Sequence, residues 1–159
     1  MGDFPKLPWL EAFQRRVNAD PEMHVIGDWF TTAIGLTFGD TRYVLQLEKG
    51  KIVRIATPRL DRPYVFGLRA PLPTWRKFLS PQPPPLHHDF FAMLMRVPEF
   101  VLEGDTLAAM QNARALHRMM NVMRERKGRS PRRHTASAPG ESAAAGAVRL
   151  ARPSRKTHA

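Results

Sequence analysis

The residues of this chain whose types suggest chemistry are clustered in the sequence His87-His88-Asp89. Adjacent histidines on a helix point about 100° apart, whereas histidines that ligate one metal are typically spaced i, i+4. Asp89 could orient a histidine as in a catalytic dyad, but no Ser or Lys lies close by in sequence to act as the nucleophile. We therefore interpret the three residues as the polar first turn of a helix, with Asp89 favourably placed by the helix dipole.

The carboxylates Glu103 and Asp105 bracket a turn and are the next candidates. A pair that works as acid and base needs environments that separate the two pKa values, and nothing in the sequence indicates such environments. Asp105 is instead predicted to cap a helix. The chain has no cysteine, which excludes a disulfide framework, a zinc–thiolate site and a cysteine nucleophile. We predict that the protein is not an enzyme and uses no cofactor or metal.

The first half of the chain predicts one helix followed by four strands. The helix covers Pro8–Asn18, and Asp20-Pro21 ends it because a residue before proline is pushed out of the helical region. Period-2 alternation with short turn signals then predicts an antiparallel meander with one buried face. Its strands are Asp28–Phe38, Thr41–Glu48, Lys51–Thr57 and Tyr64–Arg69.

Two details of this meander are specific enough to check. Gly39-Asp40 and Lys49-Gly50 are predicted as two-residue hairpin turns between successive strands. In the third strand, Val53 and Ile55 are expected to share the buried face, since residues two apart point to the same side of a sheet.

Helical periodicity returns in the second half of the chain. Its helices are predicted at Pro71–Leu79, His87–Arg96 and from the N-cap Asp105 to about Arg124, with a fifth strand at Phe100–Glu103. The middle segment carries an apolar stripe of Leu86, Phe90, Met93, Leu94 and Val97, and the last helix is expected to expose Arg114, His117, Arg118 and Asn121. The predicted fold is α+β, with a five-stranded, mostly antiparallel sheet covered on one face by helices.

The charge of the chain is concentrated at its end. Of a formal net charge of +11, residues 126–159 contribute nine Lys and Arg against one acidic residue. This stretch lacks aromatic residues and periodicity, so we predict a folded domain at residues 1–125 and a disordered basic tail at residues 126–159. The tail is interpreted either as a solubilising extension or as a segment that makes transient contact with an anionic membrane, while nucleic acid is the less favoured partner.

Several segments, taken in order, resemble the sterol carrier protein type 2 family. They are the strand and hairpin Leu36–Leu45, the Trp-x-x-Phe-Leu helix Trp75–Leu79, the run Asp89–Met95, and Phe100–Met110, which joins an apolar strand through Gly-Asp to a helix rich in Ala, Leu and Met. The resemblance covers roughly residues 7–124. The chain departs from the family in the Pro-rich insert Pro81–Pro85, in the basic tail and in the absence of a peroxisomal address.

The resemblance implies an apolar tunnel between helices and sheet that takes fatty-acyl, acyl-thioester or sterol-like ligands. Apolar residues of the middle and last helices, and two strand residues, are the candidates to line it. They are Phe30, Phe66, Trp75, Phe78, Phe90, Phe91, Leu94, Met95, Met110, Leu116 and Met120. The same spacing is equally typical of an ordinary core, so the sequence leaves both interpretations of these positions open.

The function predicted from the sequence is non-enzymatic binding and carrying of a hydrophobic ligand. The alternative is an accessory protein that docks on an enzyme or membrane complex through the same apolar groove. The sequence shows neither a signal peptide nor a stretch long and apolar enough to span a membrane, so a cytoplasmic location is expected.

Overall fold

The computed structural model describes residues 3–57 and 63–125, so the predicted tail at residues 126–159 lies outside the described part. This described part contains five strands and six helices in an α+β arrangement. In chain order they are α1 Leu7–Ala19, α2 Pro21–Ile26, β1 Thr32–Phe38, β2 Thr41–Glu48, β3 Lys51–Ala56, β4 Phe66–Ala70, α3 Leu72–Leu79, α4 Phe90–Arg96, β5 Val101–Gly104, α5 Thr106–Gln111 and α6 Ala113–Arg124.

The five strands form one sheet in the order β3-β2-β1-β4-β5. Both predicted hairpin turns are confirmed, because β1 and β2 are joined by Gly39-Asp40 and β2 and β3 by Lys49-Gly50. Lys49 and Gly50 both have positive φ angles, of 47° and 77°, as the tightest hairpin turns require. Three of the four strand pairings are antiparallel, so the prediction of a mostly antiparallel sheet also holds.

The fourth strand does not continue the predicted meander. β4 lies on the far side of β1 and runs parallel to it, with Ile34 opposite Phe66 and Phe38 opposite Ala70. The chain therefore crosses the sheet between β3 and β4 instead of turning back beside β3. Alternating apolar residues fix which face of a strand is buried and leave its neighbour undetermined, which is why the sequence prediction was wrong here.

The predicted pairing of Val53 with Ile55 on the buried face is also wrong. Leu47 lies opposite Ile52 while Gln46 lies opposite Arg54, so Val53 is an extra residue in the ladder. This β-bulge places Ile52 and Ile55 on the core side and leaves Val53 49% exposed.

Asp20 ends α1 and starts a short helix that the sequence analysis missed. The Asp20 side chain accepts a hydrogen bond from the backbone N–H of Met23 at 2.9 Å, and Pro21 occupies the first helical position. Before this junction, Gln14 and Asn18 of α1 bond the backbone of Ile52. These contacts cover the edge of β3, which would otherwise present unpaired backbone groups.

The two long helices predicted in the second half are shorter or divided. α4 begins at Phe90, directly after its cap Asp89. Leu86 has a φ of +71°, which is not helical, so it lies outside the helix and is 42% exposed. The last helical stretch breaks at Asn112, whose φ and ψ of −107° and 21° separate α5 from α6. Arg118, expected to be exposed, is instead hydrogen-bonded to Asp20.

Helices and sheet enclose one core. It includes Phe13 of α1, Leu36 and Leu45 of the sheet, Trp75 of α3 and Leu116 of α6, all with no exposed surface. The opposite side of the sheet is polar at Arg42, Arg69 and Glu103, which are partly exposed. The helices therefore cover one face, as the sequence predicted.

Candidate functional site

The interior between helices and sheet brings together seven of the eleven predicted lining residues. Each has at most 1% of its surface exposed: Phe30, Phe66, Trp75, Phe78, Phe90, Leu116 and Met120. Phe30 precedes β1 and Phe66 opens β4, so the starts of two strands face the helical layer. This set is the candidate site, which we call the apolar interior.

Trp75 is fixed within the apolar interior by a hydrogen bond and by aromatic contacts. Its indole N–H donates a buried hydrogen bond to the backbone carbonyl of Thr37 at 2.9 Å. Phe38 and Phe100 lie edge-on or tilted against its ring, with centroid distances of 4.7 and 5.3 Å. Phe78 adds a third aromatic contact at 6.3 Å, so this tryptophan, with its donor satisfied, is a rigid part of the wall.

The helical side of the apolar interior is rich in methionine. Met93 of α4 and Met119, Met120 and Met123 of α6 are each 2% exposed or less. Methionine is unbranched and has three rotatable bonds, so it adapts to contents of irregular shape. The sequence analysis placed Met93 in an apolar stripe but did not include Met93, Met119 or Met123 among the lining candidates.

The other four predicted lining residues lie at or near the surface. Phe91 and Leu94 are partly buried and pack against the core. Met95 is 82% exposed and Met110 is 43% exposed, so neither belongs to the apolar interior. Helix α4 has only seven residues, and its short buried face is filled by Phe90 and Met93.

A polar and aromatic seam joins α4 to α6. Asp89 caps α4, and one of its carboxylate oxygens also lies 3.0 Å from Nε2 of His117. The His117 ring stacks on Phe91 with a centroid distance of 5.5 Å and an interplanar angle of 18°. His87 and His88 precede the helix, so the predicted polar first turn is confirmed only for Asp89, as the cap.

Arg124 closes the same seam near the end of α6. Its Nη1 donates a hydrogen bond to the backbone carbonyl of His88. Its guanidinium carbon lies 5.2 Å from the centroid of the Phe78 ring, in cation–π geometry. Burial lowers the pKa of Arg124, and the nearby Asp89 carboxylate acts in the opposite direction. The seam thus places charged groups directly beside the apolar interior.

Polar groups elsewhere form structural contacts. Asp105 accepts a hydrogen bond from the N–H of Ala108 at 2.9 Å, which confirms its role as a cap. Within residues 3–57 and 63–125, no group of three His, Asp or Glu side chains is arranged to hold a metal ion. A surface cavity of about 640 Å³ lies between α2 and the β2–β3 hairpin, and its lining is largely polar: His24, Asp28, Thr31, Gln46, Glu48, Lys49, Lys51 and Val53.

The helices of the described part of the chain are all short, the longest being α1 with 13 residues. None of them combines the length and the apolar character that a bilayer crossing requires.

This sheet order, with helices on one face, defines a known fold. A crystal structure of sterol carrier protein 2 matches the chain with a TM-score of 0.60 and 23% sequence identity, covering 74% of this chain and 95% of that one. A solution structure from Thermus thermophilus, of a conserved hypothetical protein suggested to be a sterol carrier, gives a TM-score of 0.58 and 22% identity over 75% of this chain and 86% of the other. No protein-family model and no curated protein sequence matches. The chain has the sterol carrier protein 2 fold, as its ordered motifs predicted.

Proposed function

We propose that this protein binds and carries a hydrophobic ligand, such as a fatty acyl chain, an acyl-thioester or a sterol-like lipid, without catalysing a reaction on it. The ligand would lie in the apolar interior, between the sheet and helices α3, α4 and α6. Lipid binding is a property of the sterol carrier whose fold this chain shares, and here it is an inference from that likeness.

The observation that carries the proposal is the methionine wall. Four methionines, each at most 2% exposed, lie on α4 and α6. A core that only had to pack would gain from better-defined side chains such as Leu and Ile, because methionine specifies a packing poorly. A wall that must reshape around an acyl chain benefits from flexible thioether side chains.

Burial alone supplies enough free energy for useful affinity. Transfer of a methylene group from water to an apolar site contributes about 0.8 kcal/mol, so a chain of about 16 carbons gives on the order of 12 kcal/mol before ordering costs. Micromolar binding needs only about 8 kcal/mol. Polar anchoring groups are therefore not required, and selectivity for chain type would be loose.

The proposal is tested by native mass spectrometry of the purified full-length chain, followed by organic extraction of the bound material. We expect an adduct of a few hundred daltons that extracts as lipid. We further expect the stripped protein to take up fluorescent fatty acids in a saturable manner.

Two substitutions on α4 make the test specific. Phe91→Asp places a carboxylate at the partly buried edge of the apolar interior, and we expect at least a tenfold loss of lipid affinity because the charge would be desolvated by the ligand. Met95→Asp is the matched control on the same helix, since Met95 is 82% exposed, and we expect unchanged binding. Circular dichroism would establish that both variants are folded.

A second candidate is an accessory protein that docks on an enzyme or membrane complex. It is favoured by apolar side chains that α4 and α5 leave exposed, namely Met95, Leu107 and Met110. If native mass spectrometry showed the mass of the protein alone and the protein took up no fluorescent fatty acid, the carrier function would be excluded and the accessory function would remain. If the Phe91→Asp and Met95→Asp variants bound lipid with equal affinity, the apolar interior would not be the binding site.

The basic tail would give the carrier a means of approaching an anionic bilayer in the cytoplasm. Each basic residue near such a surface contributes about 1 kcal/mol at physiological ionic strength, and residues 126–159 hold nine of them. Nucleic acid is the less favoured partner, because the folded part carries most of the acidic residues and little of the net charge.

A further inference from the structure

An exposed tryptophan stands at the rim of the cavity between α2 and the β2–β3 hairpin. Trp29 has 92% of its surface exposed, the largest fraction among the large hydrophobic residues in the described part of the chain. Asp28 and Thr31, one residue before it and two residues after it, both line the cavity. We call Trp29 and the residues that line this cavity the Trp29 face. Tryptophan is enriched among the residues that carry most of the binding energy of interfaces, so this face is a candidate interface.

The backbone around Trp29 is held in place. The N–H of Phe30 donates to the carbonyl of Gly27 at 2.8 Å, so Trp29 is the third residue of a closed turn. This turn lies directly on the β2–β3 hairpin. The N–H of Gly50 donates to the carbonyl of Phe30 at 3.0 Å, and a Cβ placed on Gly27 would meet the Cα of Gly50 at 2.7 Å. A side chain on such a fixed turn loses less conformational freedom on binding than one on a loose loop.

The cavity beside Trp29 has the size and the chemistry to hold an indole ring from another molecule. Its volume is about 640 Å³, within the range of about 300–1,000 Å³ in which proteins bind small molecules. Val53, the extra residue of the β-bulge, supplies apolar lining, and the stems and ammonium groups of Lys49 and Lys51 suit the face of an aromatic ring. Glu48 offers an acceptor for the indole N–H, which needs a partner once it is buried.

The charged side chains of the Trp29 face balance each other. Asp28 and Glu48 carry two negative charges and Lys49 and Lys51 carry two positive charges, so their sum is zero when His24 is neutral. Within residues 3–57 and 63–125, none of these four charged side chains forms an ion pair. A surface of one sign attracts a partner of the opposite sign, whereas a surface that holds both signs equally can pair with a copy of itself.

We propose that the Trp29 face joins two copies of this chain in a symmetric dimer, with Trp29 of each copy inserted in the cavity of the other. A two-fold interface brings the same patch of both copies together, so that patch must contain both a protrusion and a matching recess. The Trp29 face holds the two side by side, and the lysines of one copy meet the carboxylates of the other. None of the residues that line the cavity belongs to the apolar interior, so the dimer is independent of the proposed carrier function.

Sedimentation equilibrium of the full-length chain measures the association. It is run from about 1 µM to 1 mM, which spans the dissociation constants of weak complexes, and we expect the mass to rise from that of one chain to that of two. Trp29→Ala should raise the dissociation constant at least about a hundredfold, because each dimer loses two tryptophan anchors. Met95→Ala is the matched control and should leave it unchanged, since Met95 is also largely exposed but lies on α4, outside the Trp29 face. Circular dichroism would establish that both variants are folded.

Two changes of charge test whether the Trp29 face pairs with itself. Lys51→Glu leaves three acidic side chains and one basic side chain at the four charged positions, a sum of −2, and Glu48→Lys leaves one acidic and three basic, a sum of +2. Each variant alone should be monomeric over the same concentrations, because its copies repel one another. An equimolar mixture of the two variants should form a dimer again, because the faces then carry opposite charge.

Three results would overturn the dimer. The first is a full-length chain that stays monomeric over the whole concentration range. The second is a dimer that persists in Trp29→Ala, because another surface would then form it. The third is a mixture of the two charge variants that associates no more than each variant alone. Uptake of fluorescent fatty acid by Trp29→Ala should equal that of the unchanged chain, so a failure of the dimer is distinguishable from a failure of the carrier function.

Discussion

Arg118 joins three acidic side chains where α6 meets the junction of α1 and α2. Two of its nitrogens contact the Asp20 carboxylate at 2.5 and 3.0 Å, and Glu22 and Glu125 lie 3.1 and 2.9 Å away. Asp20 is 7% exposed, whereas the side chains of Glu22 and Glu125 are about half exposed. The contact with Asp20 is therefore the one least weakened by water.

This arrangement makes a pH-dependent contribution to stability. Hydrogen bonds from Arg118, followed by the backbone bond from Met23, lower the pKa of Asp20 even though burial acts to raise it. A carboxyl group whose pKa is lowered in the folded state stabilises the protein above its unfolded pKa, which is about 3.9 for Asp. The stabilisation is lost as the pH falls through the folded pKa.

We expect Asp20→Asn to lower the free energy of unfolding by about 2 kcal/mol at pH 7, because it replaces charge-assisted hydrogen bonds while keeping the cap. The deficit should shrink as the pH falls below about 4, because the carboxyl of the unfolded wild-type chain then takes up a proton while the folded one, with its lowered pKa, stays ionised to lower pH. Urea denaturation at pH 7 and pH 3 would measure both. Glu22→Gln, the control on the same arginine, should cost less than about 0.5 kcal/mol. A deficit that is constant with pH would contradict the assignment.

At the scale of elements, the parallel pairing of β1 with β4 depends on two glycines facing one tyrosine. A Cβ placed on Gly35 would meet the ring of Tyr64 at 3.1 Å, and one on Gly67 would meet the same ring at 3.0 Å. The Tyr64 hydroxyl donates to Glu103 at 2.7 Å, and Arg42 lies over the ring at 5.2 Å. The Tyr64 ring thus lies flat on the outer face of the sheet. Glu103 holds it through its hydroxyl group, and Arg42 covers it.

Glu103 contacts both the tyrosine and the arginines on this outer face of the sheet. It accepts from Tyr64 and is paired with Arg42 and Arg69, each at 3.2 Å. Burial alone would raise the pKa of Glu103, but the hydrogen bonds from Tyr64 and Arg69 and the two positive charges outweigh it, so the pKa is lowered. The Glu103 carboxylate links β5 to β4 and β2 across the sheet, so its role is structural.

We expect Gly35→Ala to destabilise the fold by about 1–2 kcal/mol, because the Tyr64 ring, held by Glu103 and Arg42, must shift to make room for the added methyl group. In a Tyr64→Ala background the same change should be nearly neutral, since nothing then opposes the methyl group. Unfolding free energies of the four proteins of this double-mutant cycle would measure the coupling. Equal costs in both backgrounds would show that the ring is not the obstacle.

At the scale of the whole molecule, the buried hydrophobic residues of the described part all lie between Phe4 and Met123. We therefore expect a chain ending at Lys127 to unfold within about 1 kcal/mol of the full-length protein, since removing residues 128–159 takes no part of that core away. Thermal and urea denaturation of the two chains would test this. A large loss of stability would show that the basic segment contributes to folding.

Much of this fold was determined by the sequence alone, because the signals are local. The turn residues Gly39-Asp40 and Lys49-Gly50 indicated the two hairpins, and Asp105 indicated the start of a helix. Period-2 and period-3.6 patterns distinguished strands from helices. Seven of the eleven candidate lining residues were placed in the interior for the same reason, since apolar periodicity reports burial. Which of them touch a ligand stays a prediction.

Only the tertiary structure decided which elements are neighbours. The pairing of β4 with β1, the bulge at Val53, and the contacts of Asp89 with His117 and of Asp20 with Arg118 join residues far apart in sequence, 28 and 98 positions for the last two. Periodicity specifies which face of an element is buried and carries no information about its partner. The seam beside the apolar interior therefore arises from packing between segments that local patterns do not connect.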